Sequence, residues 1–245
     1  METIEQLRRT IDGLMVQECY LFANTVGRSN HLSRSDAALD PTYYLRHRIE
    51  TVRRIWETAR TDALALSAMI SEDYDAARLW ADYVQEEMSH DRLYLRDLAR
   101  HGINREMVAA SPPFVSTRLL IAWLEQEISQ LGSLPAVAYS VFVEWNSKRA
   151  SPLAAQRAAV AFGEDHVKGA RAHMAIDERD RHDDMMLEIA EAVIEAHGYS
   201  LDLLSRLLRD VGILFRAYFT ELDDFAKAAD RTPEASVGAL GPAFH

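Results

Sequence analysis

Apolar positions recur at helical spacing along almost the whole chain. Between residues 2 and 25, Ile4, Leu7, Ile11, Leu14 and Met15 fall on one face, which Glu18 and Leu21/Phe22 continue, behind an acidic first turn. A polar loop, GRSNHLSRSDAALDP, follows. Asp40-Pro41 then offers an N-cap and a proline at the first helical position. The second stripe runs through Ile49, Val52, Ile55, Trp56, Ala59, Ala63, Leu66 and Ile70, with Glu57 and Asp62 at its margin. A third helix, 75–100, buries Leu79, Trp80, Tyr83, Val84, Tyr94, Leu95 and Leu98 and closes at His101-Gly102. Pro112-Pro113 separates it from a fourth, 116–130. The fifth, 136–149, is apolar on nearly all sides and is therefore expected at the centre. Ser151-Pro152 opens a sixth pattern that continues, with a break, to His197-Gly198, and a seventh covers 201–225. Nothing alternates with a period of two for long enough to make a strand. The pattern predicts one all-α domain of about seven helices over 1–227, then a loosely ordered tail over 228–245.

Composition narrows the class of function. The 245 residues carry a net charge of −11, which gives neither nucleic acid nor an anionic membrane surface anything to neutralise. No leader-like N-terminus and no long uninterrupted apolar run occur, so a cytoplasmic protein is expected. Cys19 is the only cysteine, which removes an internal disulfide and any thiolate cage. A metal in this chain has to be held by His, Asp and Glu.

Those residues are concentrated. Gly163 to Met186, GEDHVKGARAHMAIDERDRHDDMM, holds three histidines among many carboxylates. His166, His173, Asp177, Asp180 and Asp184 recur at helical steps, beside apolar Met174, Ile176 and Met185. On the third helix, Glu87 and His90 lie three apart and point toward the core side, where an ionised carboxylate must be paired, neutralised or bound to a cation. Glu144 sits in the most apolar helix, between Val143 and Trp145. Each has a plain alternative: a solvated charged face, a chance E-x-x-H, a buried Glu bonded to Tyr, Trp or Arg118. Together, three helices bring carboxylates and imidazoles inward, as carboxylate-bridged di-iron or di-manganese centres in helical bundles do. A Gly-rich phosphate loop, a G-x-S-x-G elbow and an H-E-x-x-H zinc signature are all missing from the sequence.

The motif E-E-x-x-H-x-x-L-Y-x-x-x-L-x-x-x-G-I over Glu86–Ile103, the mid-chain Glu144, and H-x-x-x-D at His173 and Asp177 resemble the haem-oxygenase-like di-iron oxidases, related in fold to thiaminase II and pyrroloquinoline quinone synthase. The resemblance covers about residues 45 to 220. It implies a seven-helix haem-oxygenase-like bundle, and dioxygen activation at two irons, with manganese as the other metal, by electrons from an external donor. The implied ligands are Glu87, His90, Glu144, His173 and Asp177, with Glu144 as the bridge. It further implies a small-molecule substrate of the amine, amino-acid or fatty-acid kind, and a homodimer fits the fold. The same fold also hosts metal-free enzymes, and a non-enzymatic helical binding protein is the third reading. The catalytic residues are unknown; Tyr139, Phe142 and Trp145 are the expected pocket lining.

The sixth ligand departs from the family pattern H-x-x-x-D-x-x-H, because position 180 is Asp and the histidine comes at 182. On an unbroken helix Asp180 lies about 20° from His173 and His182 about 180° away. Yet His182 shares a stripe with the apolar Met186, Ile189 and Val193. A break within Glu178–Arg181 reconciles the two halves, which favours His182 as the sixth ligand, with Asp180 and Glu86 as alternates.

Overall fold

Asp40, Asp73 and Asn104 start three of the helices as their side-chain chemistry requires. In the computed structural model, which describes residues 4–34 and 36–231, the Asp40 carboxylate accepts from the amides of Thr42 (2.9 Å) and Tyr43 (3.2 Å) and opens a helix at Pro41. Asp73 caps the next in the same way, after a single-residue interruption. The order is α1 (Ile4–Thr25), α2 (Pro41–Glu72), α3 (Tyr74–Ala99), α4 (Arg105–Ala110), α5 (Val115–Leu131), α6 (Leu134–Phe162), a 3₁₀ turn (Glu164–His166), α7 (Lys168–Asp180), α8 (His182–His197) and α9 (Leu201–Arg231). No strand occurs among the described residues, and none of the described helices is long and apolar enough to cross a membrane.

The expected helices are found, with four differences. α4 was not legible, because six residues are too few to show a stripe; the Asn104 side chain caps it and Val108 anchors it in the core. α6 runs through Pro152 instead of ending before it. The carbonyl that the proline leaves without a donor belongs to Lys148, on an exposed turn open to water, while Phe142, Ala155, Ala158 and Ala159 bury the helix on both sides. The stretch after Gly163 is three elements, because a 3₁₀ turn ending before Val167 adds an interruption to the expected break within Glu178–Arg181. α9 reaches Arg231, six residues past the expected end, and the rest of the expected tail, 232–245, lies outside the described residues.

Packing places two apolar clusters on either side of a polar centre. The larger joins α1, α5 and α9 to the end of α2, the start of α3, the start of α6 and α8, around Met15, Met69, Trp80, Leu124, Leu134, Met186 and Leu208. The smaller joins the start of α2, the end of α3, α4, the end of α6 and the start of α7. Val84 belongs to the first cluster and Tyr94 to the second, so Glu87 and His90 fall at their junction on α3. Glu144 occupies the same interval of α6, between Phe142 and Ala158. A second buried polar knot ties α2 to α5: Glu50 accepts from Arg46, the Phe114 amide (3.1 Å) and the Thr117 hydroxyl (2.6 Å).

Candidate metal centre

Three local devices aim the side chains. Asp97 on α3 accepts from the amides of Gly169 (2.7 Å) and Ala170 (2.8 Å), which caps the start of α7 and fixes it against α3. Gly169 lets the two backbones meet, since a Cβ there would lie 1.9 Å from the Leu93 carbonyl oxygen. Arg181 then takes a left-handed conformation (φ 54°, ψ 48°), ending α7 at Asp180 and restarting the chain as α8 at His182. This is the break expected within Glu178–Arg181. It swings His182 into the core at 0% exposure.

The result is a knot of seven side chains from four helices. Glu86, Glu87 and His90 come from α3, Glu144 from α6, His173 and Asp177 from α7, and His182 from α8. Ligand atoms of Glu87, His90, His173 and Asp177 lie within 4.8 Å of one another, and so do those of Glu87, Glu144 and His182. Glu87 is thus common to both groups, where the resemblance implied Glu144 as the bridge. Asp177 also reaches both sides, 2.9 Å from His173 Nδ1 and 3.5 Å from His182 Nδ1.

These contacts are close without being hydrogen bonds. Glu87 Oε1, both nitrogens of His90, His173 Nδ1, Asp177 Oδ1 and His182 Nδ1 are buried and have no hydrogen-bond partner. His90 Nδ1 and Glu87 Oε1 approach to 3.0 Å but are misaligned for one. Buried polar atoms are normally satisfied. Lone pairs that converge from several helices without donors match what a cation needs, and the donor set of carboxylate and imidazole suits iron or manganese.

Outer contacts orient the inner ones. His182 Nε2–H donates to Glu86 (2.9 Å), which leaves the Nδ1 lone pair facing Glu87 and Asp177. Glu86 therefore acts as the partner of His182, although ligand atoms of Glu86, Asp180 and His182 also lie within 4.8 Å of one another. Asp180 is gripped by the Arg179 guanidinium through both oxygens, which holds its carboxyl below the usual range. Tyr83 donates to Glu144 Oε1 at 3.0 Å. Of the stripe predicted over the stretch after Gly163, only His173 and Asp177 face the cluster. His166 pairs with His101 (3.0 Å), and Asp184 is bound by Arg8 and Arg181.

Electrostatics within the metal-free cluster push protons onto it. Burial, with Glu87 and Asp177 adding to it, raises the Glu144 carboxyl well above its ordinary value. Burial and the charge of Glu87 lift Asp62 to about 8. His90 is raised too: burial opposes its charge, but Glu87, Asp177 and Glu86 outweigh it. Each shift records the same excess of buried negative charge.

A cavity of about 560 Å³ leads to the cluster and touches Glu87, Glu144 and His173. Tyr139, Phe142 and Trp145 line it as expected, and Asp62 joins them. His47, Arg48 and Arg54 line it as well. The sequence signal for these was a second, polar stripe on α2, His47-Thr51-Arg54-Thr58-Asp62, lying beside the apolar one.

No protein-family model and no curated protein matches the sequence significantly. Among solved structures, the chain is similar to a domain of unknown function with a heme oxygenase-like fold from Shewanella denitrificans OS217, at TM-score 0.73 and 19% identity, over 96% of this chain and 98% of that one. At this identity the likeness speaks for the fold, and with the helix order above it makes this chain an all-α domain of haem-oxygenase-like fold.

Proposed function

We propose that the cluster holds two divalent metal ions, iron first and manganese as the alternative, and that the protein is a non-haem, dioxygen-activating oxidoreductase. Its substrate is a small amine, amino acid or fatty-acid-like metabolite, and its electrons come from an external donor. One observation carries this reading: buried, partnerless polar atoms of Glu87, His90, His173, Asp177 and His182 converge in two adjoining groups that share Glu87. In this reading Glu87, His90, His173 and Asp177 hold one ion, and Glu87, Glu144 and His182 the other. The metals supply the one-electron and dioxygen chemistry that no side chain in the cavity offers.

The remaining work falls to the chain's own groups. Glu86 fixes the His182 tautomer, and Tyr83 fixes the rotamer of Glu144. Asp62 is largely protonated at neutral pH in the metal-free protein, so its carboxyl is a proton source on the cavity wall. Tyr139, Phe142 and Phe215 keep water from the space between cluster and ligand.

The test is oxygen consumption by protein loaded anaerobically with Fe(II), given a reductant and a panel of amines, amino acids and fatty acids, alongside the iron content of the same sample. Iron retention with substrate-dependent oxygen uptake is expected. A protein that retains no iron and consumes no oxygen would instead fit the metal-free enzymes of this fold or a non-enzymatic binding protein.

A further inference from the structure

Arginines in this protein that are withdrawn from solvent normally reach an acid. Arg28 binds Asp40 and Asp223, Arg46 binds Glu50, Arg53 binds Glu57, and Arg216 binds Glu18. Arg48 and Arg54, which both line the cavity, depart from this pattern. Arg48 is buried between the rings of Tyr44 (5.2 Å) and Tyr94 (5.0 Å), with no carboxylate in ion-pair contact among the described residues. Asp97, whose charge bears on it, has both oxygens committed to the start of α7. Arg54 lies over the Tyr218 ring at 4.4 Å; its Nη1 is buried without a partner, its polar neighbours are the hydroxyls of Tyr218 and Thr51 (Nη2 to Thr51 Oγ1, 3.5 Å), and no carboxylate is in ion-pair contact with it among the described residues.

An uncompensated buried guanidinium is costly, and it becomes favourable when an anion arrives to pair with it. Nearby, His47 is hydrogen-bonded to the Tyr218 hydroxyl (2.8 Å) and kept neutral by burial and by the two arginines, so it adds polarity and no competing charge. The cavity wall therefore carries two cations besides its acids: Arg54 beside Tyr218, and Arg48 beside Tyr94, whose ring lies 5.3 Å from that of His173. On α2, Arg54 and Asp62 are eight residues apart, about 12 Å along the helix. Thr58 lies between them on the same stripe, and Ile55, Tyr139, Phe142 and Phe215 supply apolar lining to the same cavity.

We infer that the ligand of this cavity is a monocarboxylate with an extended apolar body, seated with its carboxylate on Arg54 and the positive field of Arg48, and with its far end toward the Glu87–Glu144–His173 cluster. The inference rests on the proposed metal centre only for what happens at that far end. Carboxylate binding itself requires no metal. At the arginines it selects a carboxylate, because an ammonium group there would meet two cations without an acid.

The experiment is calorimetric titration of chelator-stripped protein with octanoate, octan-1-ol and octylamine, for the wild type and Arg54→Gln. The wild type is expected to bind octanoate at least tenfold more tightly than the alcohol or the amine. Arg54→Gln is expected to weaken octanoate about ten- to hundredfold, the loss of one charged hydrogen bond, while leaving octan-1-ol unchanged. Octanoate and octan-1-ol binding within threefold of each other would overturn the inference, as would wild-type octanoate affinity in Arg54→Gln. Should that variant fail to fold, the three-ligand comparison on the wild type decides alone. Iron uptake by the wild type, measured separately, reports on the metal centre, so failure of that reading leaves a distinct signature.

Discussion

Replacing Gly169 with alanine puts the largest calculable strain on the centre through the smallest chemical change. The new Cβ would sit 1.9 Å from the Leu93 carbonyl oxygen, 2.6 Å from its carbon and 3.0 Å from Asp97 Cγ. A comfortable C···O contact is about 3.3 Å, so α7 has to back away from α3 by roughly 1.4 Å. Overpacking of this kind costs about 1–3 kcal/mol. Strain on the Asp97 cap, whose hydrogen bonds to a charged acceptor contribute about 1.5–3 kcal/mol, adds to that, and alanine's helix propensity returns about 1 kcal/mol at most. The net is about 3 kcal/mol, a fall in Tm of roughly 6–12 °C for a chain of this size. His173 and Asp177 follow on the same helix one and two turns later, and a metal site tolerates displacements of only about 0.5 Å. Metal affinity is therefore expected to drop at least tenfold. Thermal melts of the metal-free protein and chelator competition read the two effects. Gly13→Ala is the control: nothing lies within 4 Å of that Cβ, and the change inside α1 is expected to stabilise by about 0.5–1 kcal/mol. A Gly169→Ala protein that melts within about 2 °C of the wild type and keeps its metal affinity would refute this account of how α7 is held.

Other substitutions probe separate parts of the structure. His182→Ala is expected to lose one bound iron per chain and Asp180→Ala none, by metal analysis of anaerobically loaded protein; the reverse would give the second ion to Asp180. Glu50→Gln leaves the buried Arg46 guanidinium without its counter-charge, at a cost of about 3–5 kcal/mol, visible as a fall in the midpoint of urea unfolding. Burial and the neighbouring His166 lower His101 to about 4, against about 6.5 unfolded, so between these values the unfolded chain binds more protons. Stability is accordingly full above pH 6.5 and declines as pH falls toward 4. Melts across that window are expected to slope less for His101→Gln than for the wild type, and equal slopes would contradict the assignment.

Much of the fold was legible because the stripes are long: α2, α3 and α9 each repeat their apolar face over many turns. Pro152 misled because the rule that proline starts helices describes local backbone chemistry, while the packing of Ala155, Ala158 and Ala159 continues α6 through it. In the cluster, Glu87, His90, Glu144, His173 and Asp177 were marked by charge within apolar stripes. His182 needed a further step, the conflict between two helical phases, which placed a break within Glu178–Arg181, and the structure sets it at Arg181. Spacing alone misassigned His166 and Asp184, because it cannot tell that His101, Arg8 and Arg181 will pair with them. Arg48 and Arg54 went unnoticed for the opposite reason: arginine is common on helices, and only the fold reveals which ones lack an acid.

The most direct test of the central claim is an anaerobic titration of the chelator-stripped wild type with Fe(II), with free iron followed by a chromophoric chelator of moderate affinity and Tm measured at each step. Two equivalents are expected to disappear into the protein before free iron rises, and Tm is expected to climb with each, because the ions bind the folded chain and relieve the buried charge of Glu87, Glu144 and Asp177. Free iron from the first addition, with an unchanged Tm, would contradict the claim that these helices converge on a metal centre.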